Sequence, residues 1–217
     1  MKVLVFDTET TGLPAERNAS IYSTEKWPHI IQLSFMVYNT DTNEITADKD
    51  YIINIGSNVA LSEESVNIHG ITREMSMKKG IHIKHAFRSF RQHLRYADMI
   101  VAHNISFDKR MVMVESIRNK LFAFDSIFNH ASIQSYCTMR CGSDLCKIQA
   151  VSQSGEKYFK YPKLIELHEH LFKTIPNNAH NAKVDIIICL RCFYKMKFNK
   201  DLCHINRDFR MLYRNNC

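Results

Sequence analysis

The chain has 217 residues, of which 45% are hydrophobic and 24% charged, a composition typical of a globular protein that is long enough to bury a sizeable core. Its 29 lysines and arginines exceed its 22 aspartates and glutamates, and the resulting net charge of +7 favours polyanionic partners. No stretch has the length of a membrane span, and Asp7 interrupts the short apolar run at the N-terminus, which therefore does not have the pattern of a signal peptide. The odd number of cysteines argues against a complete disulfide framework. We therefore expect a cytoplasmic or nuclear protein in a reducing compartment.

The first quarter of the chain has the pattern of a meander of strands. The apolar run Val3–Phe6 predicts a buried strand, and "HIIQLSFMVYN" predicts a second. A polar loop of unusual length, from Gly12 to Pro28, separates them. The turn residues "NTDTNE" follow, and "DYIINI" predicts a third strand.

Helices and strands alternate in the rest of the chain. In order, "SEESVNIHGIT" predicts a short capped helix ending at Gly70, "IKHAFRSFRQHLRYA" a helix, "DMIVAHN" a buried strand, "ISFDKRMVMVESIRN" a helix and "SIQSYCTM" a strand. Pro162 opens a short helix, "PKLIELHEHLF", and "KVDIIICLRCFYKM" is the last clear one. This order predicts an α/β fold with a mixed sheet. The basic tail has weaker periodicity, and its packing stays open.

Acidic residues stand at the ends of elements that should form the core. Asp7 and Glu9 lie two residues apart at the end of the first strand, so both side chains point to one face. Asp108 follows the second buried strand of the pattern, and Asp185 has apolar neighbours in "KVDIIICL". Like charges repel and buried charges need a partner, which favours a divalent metal bound by carboxylates.

One histidine lies close to these acids in the sequence. His180 precedes Asp185 by five residues, which corresponds to about 140° around a helix, so the two do not share a helical face. The simpler geometry places His180 on the loop before the helix and Asp185 in its first turns, from where both reach one point. Taken alone, His180 is read as an ordinary loop histidine.

Three segments together resemble the motifs of the DnaQ-like, or DEDDh, 3′→5′ exonucleases, which have the ribonuclease-H-like fold. They are "FDTETTGLP", "AHNISFD" and "HNAKVD", in the family's order and spacing. The resemblance covers roughly residues 2–196 and leaves 197–217 as a basic C-terminal extension. It implies a mixed central sheet with helices on both faces.

The resemblance also implies a mechanism. The acids Asp7, Glu9, Asp108 and Asp185 would hold two Mg²⁺ or Mn²⁺ ions, and His180 would act as the general base toward a water molecule. The 3′-terminal nucleotide would leave as a 5′-monophosphate.

A substrate site beside the acids follows from the same resemblance, with the candidate residues Thr10, Thr11, Gly12, Leu13, Asn104 and Phe107. The backbone of the two threonines would hold the terminal 3′-OH, and the glycine would let the chain turn tightly. Leu13 and Phe107 would pack on the terminal bases or belong to the core. Asn104 would orient Asp108 or cap the next helix.

Other residues offer competing metal sites. Four cysteines have the spacing of a tetrahedral zinc site: Cys137, Cys141, Cys189 and Cys192. The last two fall on the last predicted helix, and we favour their interpretation as small hydrophobic residues. Two histidines of "LHEHLF", His168 and His170, diverge on a helix and are predicted to lie at the surface.

The function that we predict is metal-dependent 3′→5′ exonuclease activity on single-stranded or frayed DNA, in proofreading or repair. The first alternative is a 3′→5′ exoribonuclease, which would recognise the 2′-OH. The second alternative is a non-catalytic nucleic-acid-binding or polymerase-tethered module. Such a module would lack one of the acids or the histidine, and all five residues are present here. The third alternative is a structural protein. Expected partners are nucleic acid 3′ ends, DNA before RNA, and a polymerase or replication protein; the oligomeric state stays open.

Overall fold

A mixed five-stranded sheet organises the chain in the computed structural model, which describes residues 1–121, 123–177 and 181–217. In chain order its strands are β1 Lys2–Thr10, β2 Ile30–Asn39, β3 Glu44–Ile52, β4 Met99–Ala102 and β5 Gln134–Cys137. Their spatial order is β3-β2-β1-β4-β5. The first three form the predicted antiparallel meander, while β4 and β5 run parallel to β1. The predicted α/β class with a mixed sheet is therefore confirmed.

Helices and a separate hairpin complete the described part of the chain. The helices are α1 Glu63–His69, α2 Arg73–Lys79, α3 Ile83–Leu94, α4 Ile105–Arg118, α5 Phe124–Phe128, α6 Thr138–Cys146, α7 Leu164–Phe172, α8 Ala182–Phe198, α9 Leu202–Ile205 and α10 Arg207–Asn216. The hairpin pairs β6 Gln149–Val151 with β7 Lys157–Phe159. Among the described residues, no helix is both long enough and apolar enough to cross a membrane.

Strand β1 contributes to a separate core on each face of the sheet. Leu4 and Phe6 belong to an aromatic-rich core with α3 and α4, in which the rings of Phe6 and Phe90 lie 5.2 Å apart. Val3 and Val5 belong to a second core, under α8. Because successive residues of a strand point to opposite faces, one strand serves both layers. The predicted placement of helices on both faces is confirmed.

Capping and turn residues in the sequence predicted the bounds of some elements correctly and of others incorrectly. Helix α1 has the predicted caps: the Ser62 side chain accepts from the backbone N–H of Ser65, and Gly70 takes the left-handed conformation with φ of 73°. The predicted third strand, at 50–55, is wrong in its bounds, since β3 is an edge strand with mostly exposed side chains and lacks a buried apolar pattern at its start. Helix α7 begins two residues after Pro162, with Lys163 as its N-cap.

The tail packs on the body of the protein, which the sequence left undecided. Phe209 of α10 is fully buried in the core under α8. The guanidinium group of Arg191 on α8 lies 3.9 Å from the ring centre of Phe172 and 4.4 Å from that of Tyr213 in α10, and it donates two hydrogen bonds to Asp201. This arrangement connects the tail to α7 and α8.

His168 is buried in this same region, so its predicted surface position is wrong, whereas His170 is exposed as predicted. The Nδ1 atom of His168 lies 2.8 Å from the carbonyl oxygen of Thr174, and Nε2 lies 2.9 Å from the hydroxyl of Tyr213. A histidine on an apolar helix face is here a hydrogen-bonded core residue, which helical periodicity alone does not reveal.

Candidate active site

Three carboxylates converge at the end of the sheet. Asp7 and Glu9 come from the end of β1, on the face covered by α8, and Asp185 comes from the first turn of α8. One carboxylate oxygen from each lies within 4.8 Å of the others. Across residues 1–121, 123–177 and 181–217, this is the one group of three or more histidine, cysteine or acidic side chains arranged to hold a metal ion.

The cysteine alternative is therefore wrong within those residues. Cys189 and Cys192 are buried on α8 and belong to two different hydrophobic cores, as the hydrophobic interpretation predicted. All seven cysteines are free thiols.

Asp108 approaches β1 from the other side of the sheet. It lies in the first turn of α4 and is 2% exposed. Thr8, which lies between Asp7 and Glu9 and points to the opposite face, donates to Asp108 Oδ1 from its backbone N–H (3.1 Å) and from its hydroxyl (2.8 Å). Thr8 thus fixes the position of Asp108 beside the other acids, although Asp108 lies outside the group of three.

Burial and the mutual repulsion of their negative charges raise the pKa values of these acids. Burial raises the pKa of Asp7 well above its usual range, and the charges of Asp108, Asp185 and Glu9 raise it further. Burial, with Asp185 and Asp108, raises the pKa of Glu9 to about 8. Burial raises the pKa of Asp108 to about 7, against the opposing effect of its hydrogen bonds from Thr8.

Neither Asp7 nor Glu9 forms an ion pair with a described residue. Converging carboxylate oxygens are the donor set that Mg²⁺ and Mn²⁺ prefer. The residues present therefore fit the divalent ions that the family resemblance implies.

Gln32 holds the start of α8 against the sheet. It pairs with Glu9 in the register of β1 and β2, and it is 2% exposed. Its Oε1 accepts from the backbone N–H of Ala182 (3.2 Å), and its Nε2 donates to Asp50 (2.8 Å). Sequence reasoning missed this residue. The signal was a glutamine inside the otherwise apolar segment "HIIQLSFMVYN", since a buried amide is costly unless it is hydrogen-bonded.

His180 lies outside the described residues, so its predicted role as a base stays a prediction. The residues on both sides of that segment are hydrogen-bonded. Asn177 donates its backbone N–H to the carbonyl oxygen of Cys217 (2.7 Å). Asn181 caps α8 by accepting from the backbone N–H of Lys183 (3.0 Å).

A cavity of about 490 Å³ lies beside Glu9, between the end of β1 and α1. Thr10, Gly12, Leu13 and Phe107 line it, as the predicted substrate site requires. Leu13 is 83% exposed, so its interpretation as a core residue is wrong. Phe107 both lines the cavity and packs against the aromatic-rich core, so the two interpretations hold together. We name this the terminal cavity.

Thr11 is held by hydrogen bonds within the fold, and the predicted contact of this segment with the 3′-OH stays a prediction. Thr11 is buried; its backbone N–H donates to the carbonyl oxygen of His29 (2.9 Å), and its hydroxyl accepts from the His29 N–H (3.0 Å). Its N–H is therefore used within the fold. The backbone bends at residues 11 and 12, but Gly12 has no positive φ and a β-carbon there would meet nothing within 4 Å, so the bend does not require glycine. The Thr10 hydroxyl donates to the Gly12 carbonyl (2.7 Å).

Asn104 occupies the predicted N-cap position of α4 but does not orient Asp108. It is the N-cap residue of α4 in the left-handed conformation, with φ of 66°, but its side chain makes no capping hydrogen bond. Its Oδ1 accepts from the hydroxyl of Ser106 (3.3 Å), and Asp108 takes its hydrogen bonds from Thr8 instead.

His69 is a candidate contact that sequence reasoning missed. It ends α1, lines the terminal cavity and is 6% exposed. Its Nδ1 accepts from the backbone N–H of Ile71 (3.0 Å), so a neutral ring carries its proton on Nε2. That Nε2 is buried without a regular hydrogen bond to any described residue. Burial lowers the pKa of His69, and the nearby Thr10 backbone opposes this effect only in part. The lowered pKa favours the neutral form of the ring.

Comparisons with known proteins identify a family and similar folds. A family model described as exonuclease matches residues 4–193. The structure of Escherichia coli Exonuclease I with a dA16 oligonucleotide is 15% identical, with a TM-score of 0.62 over 98% of this chain and 43% of that one. The zinc-bound E. coli ExoI–ssDNA complex is 16% identical, with a TM-score of 0.63 over 98% and 43%. Exonuclease I from Methylocaldum szegediense is 15% identical, with a TM-score of 0.63 over 99% and 43%.

This likeness confirms the predicted ribonuclease-H-like fold. Because the sequence identities are so low, the likeness shows the fold alone. The chain spans less than half the length of these proteins, with 43% of each covered. No curated protein matches the chain.

Proposed function

Because the chain belongs to the exonuclease family, whose model covers residues 4–193, we propose that it is a metal-dependent 3′→5′ exonuclease acting on single-stranded or frayed DNA. The observation that carries the proposal is the convergence of Asp7, Glu9 and Asp185 within 4.8 Å, next to a cavity. The family match also confirms the resemblance seen in the three motifs. A phosphodiester at this position would lie beside the acids while the nucleotide on its 3′ side fills the terminal cavity.

Two Mg²⁺ or Mn²⁺ ions would be held by the three converging carboxylates and by Asp108. When bound, such ions neutralise charge on the phosphodiester and stabilise both the attacking and the leaving oxygen. The chain supplies the position of each ligand: Thr8 fixes Asp108, and Gln32 fixes the start of the helix that carries Asp185. Preorganised ligands need no rearrangement during the reaction.

Binding of the 3′-terminal nucleotide is the task that we assign to the terminal cavity. The exposed Leu13 and the ring of Phe107 offer apolar surfaces on which bases stack. His69 also lines this cavity and is a further candidate contact for the nucleotide. An unpaired end fits this arrangement, because a paired base cannot enter a cavity.

DNA is the preferred substrate in this proposal. Among the similar structures, E. coli Exonuclease I was solved with a dA16 oligonucleotide and as a complex with single-stranded DNA. By that likeness we extend the preference to this chain. A ribonuclease would need a contact to the 2′-OH.

The direct test uses 5′-labelled DNA and RNA strands, with free or blocked 3′ ends, in Mg²⁺, in Mn²⁺ and in chelator. We expect ladders that shorten from a free 3′ end of DNA, and no cleavage in chelator. Equal cleavage of the blocked strand would indicate an endonuclease. Faster digestion of RNA would replace the DNA preference with the exoribonuclease alternative, and digestion in chelator would contradict the metal mechanism.

His180 is proposed to take the proton from the attacking water. His180→Ala should slow single-turnover cleavage by about 10²–10⁴-fold, the usual contribution of a general base. Stabilisation of the fold by Mn²⁺ should stay near wild type, because the residue is no metal ligand in this proposal. The wild-type rate should rise with a group titrating near the ordinary histidine value of about 6.5, and that limb should vanish in the variant. A full rate in the variant would show that His180 is a bystander.

A further inference from the structure

A second surface cavity, of about 650 Å³, lies next to the terminal cavity. Leu13 and Phe107 line both, so they form the ridge between the two. The long loop after β1, the beginning of α4 and the beginning of α6 supply most of its walls. The mechanism proposed above gives this second cavity no role.

Three arginines from three separate elements face this cavity. Arg17 comes from the long loop, Arg110 from α4 and Arg140 from the first turns of α6. All three are exposed, and none forms an ion pair or hydrogen bond with another described residue. No aspartate or glutamate is found among the described residues that line the cavity. We name it the arginine cavity.

Arginines with structural roles in this protein look different. Arg118 donates to the backbone carbonyls of Thr24 (2.6 Å) and Trp27 (2.9 Å) and forms an ion pair with Glu115, which secures the long loop. The guanidinium group of Arg118, which has a structural role, is thus surrounded by acceptors. The arginine cavity gathers three such groups and has no carboxylate among its described lining residues, so an anion bound there would supply the missing negative charge.

The remaining residues of the arginine cavity suit one class of anion. Tyr161 lines it and is 56% exposed, which leaves its ring free for stacking. Asn18, Asn104 and Ser106 add neutral hydrogen-bonding groups. Cations that follow a backbone, combined with an aromatic ring on which bases stack, are the usual elements of sequence-independent binding to single strands. A small anion such as free phosphate would need the arginines but would leave the aromatic ring unused.

We propose that the arginine cavity binds the phosphodiester backbone of the single strand immediately 5′ of the terminal nucleotides. This inference rests on the proposed function, because it takes the terminal cavity as the place of the 3′ end. The strand leaves the terminal cavity over the ridge of Leu13 and Phe107 and meets the arginines on the far side. The subsite retains the strand between successive cleavages and contributes binding energy that does not depend on sequence.

Strand binding without turnover tests this proposal. The dissociation constant of a fluorescent single strand is measured in chelator, over a range of salt concentrations, for wild type and for Arg17→Gln, Arg110→Gln and Arg140→Gln. We expect each substitution to weaken binding about three- to tenfold and to reduce the slope of log Kd against log salt by about 0.7, the value for one phosphate contact on a single strand. Arg88→Gln is the matched control, since Arg88 is exposed on α3 and lines neither cavity.

A short ligand separates the two cavities. Thymidine 5′-monophosphate fits the terminal cavity alone, so its affinity should be the same in wild type and in the three variants. Unchanged salt slopes for the strand, or an equal loss for the control, would overturn the arginine cavity as a subsite. An equal loss of mononucleotide binding would overturn it too, because the arginines would then act on the terminal cavity or on the fold.

The failure of the proposed function is recognised separately. Wild type that hydrolyses neither a DNA strand nor the p-nitrophenyl ester of thymidine 5′-monophosphate in Mn²⁺ would contradict the exonuclease itself. Wild type that degrades the strand, while all three variants bind it with the wild-type salt slope, would contradict only the arginine cavity.

Discussion

Buried and half-buried carboxylates at the end of the sheet differ in their partners from those elsewhere in the molecule. Glu115 is 2% exposed and pairs with Arg118, and its second oxygen accepts from Asn119 (2.8 Å). Asp201 accepts two hydrogen bonds from Arg191; burial opposes ionisation, but these bonds lower the pKa of Asp201. We call these the paired acids.

The acids at the end of the sheet have the opposite arrangement. Asp7, Glu9 and Asp108 have raised pKa values, caused first by burial and then by one another or by Asp185. The comparison teaches that this fold supplies an internal cation where a buried carboxylate has a structural role. At the end of the sheet, Asp7 and Glu9 have no such cation among the described residues, which supports the proposal that a cation from solution binds there.

The largest expected effect is on activity. Asp7→Asn keeps the size of the side chain but removes a charged ligand, and single-turnover cleavage of a DNA strand should fall at least about 10³-fold, since charge stabilisation by metal ions is worth several kcal/mol. Asp208→Asn, which changes an exposed acid of α10, should cleave like wild type. Comparable rates in Asp7→Asn and wild type would show that the acids at the end of the sheet are no catalytic centre.

The next largest effect is expected on the free energy of unfolding, when a paired acid loses its cation. Arg118→Met leaves Glu115 buried without its cation and should lower the free energy of unfolding by about 3–5 kcal/mol. At pH 8.5, above the raised pKa of Glu9 of about 8, Glu9→Gln should leave the metal-free stability equal to wild type or slightly higher, because it removes one of several repelling charges. Denaturant unfolding in chelator measures both variants. The distinction between the two regions breaks down if Glu9→Gln loses as much stability as Arg118→Met.

A smaller effect is expected from pH. The pKa of Glu9 rises from the ordinary 4.5 to about 8, and that of Asp108 from 3.8 to about 7, so both bind protons more tightly in the folded state. Their contribution to stability is complete below the unfolded values and is lost as the pH rises through 7 to 8. The melting temperature of the metal-free protein should therefore fall from pH 5 to 8.5, and the fall should be smaller in Glu9→Gln.

A flat or rising melting temperature over that range would show that these carboxyl groups are already balanced by other groups. Repeating the series in Mn²⁺ sharpens the comparison. Bound ions should favour the ionised acids and remove much of the fall, while Asp201, whose pKa is lowered, contributes little to it.

The acids of the site were predictable because their signal is local. A period of two along β1 puts Asp7 and Glu9 on one face, and the apolar neighbours of Asp185 mark a buried helix. Contacts between distant segments carry no such signal. Thr8 donates to Asp108, 100 residues away, and Gln32 accepts from Ala182, 150 residues away. Their sequence patterns show only polar residues within strands.

The fold shows the same division. Buried strands such as β2 and amphipathic helices such as α3 were predictable from periodicity. The edge strand β3 and the hairpin of β6 and β7 were misplaced or missed because their exposed residues have no buried pattern. The packing of the tail was not predictable because the tail is divided into two short helices, α9 and α10, whose buried residues, such as Leu202 and Phe209, extend over too short a length for a clear periodic pattern.

The central claim is that the acids at the end of the sheet require a cation from solution, and a calorimetric melt with and without Mn²⁺ tests it most directly. Ligand binding to the folded state stabilises it by RT ln(1 + [L]/Kd), about 2.7 kcal/mol when the ion is at 100 times its Kd. We predict that millimolar Mn²⁺ raises the melting temperature of wild type at pH 8, and that Asp7→Asn loses most of this gain. A wild-type melting temperature that millimolar Mn²⁺ leaves unchanged would contradict the account.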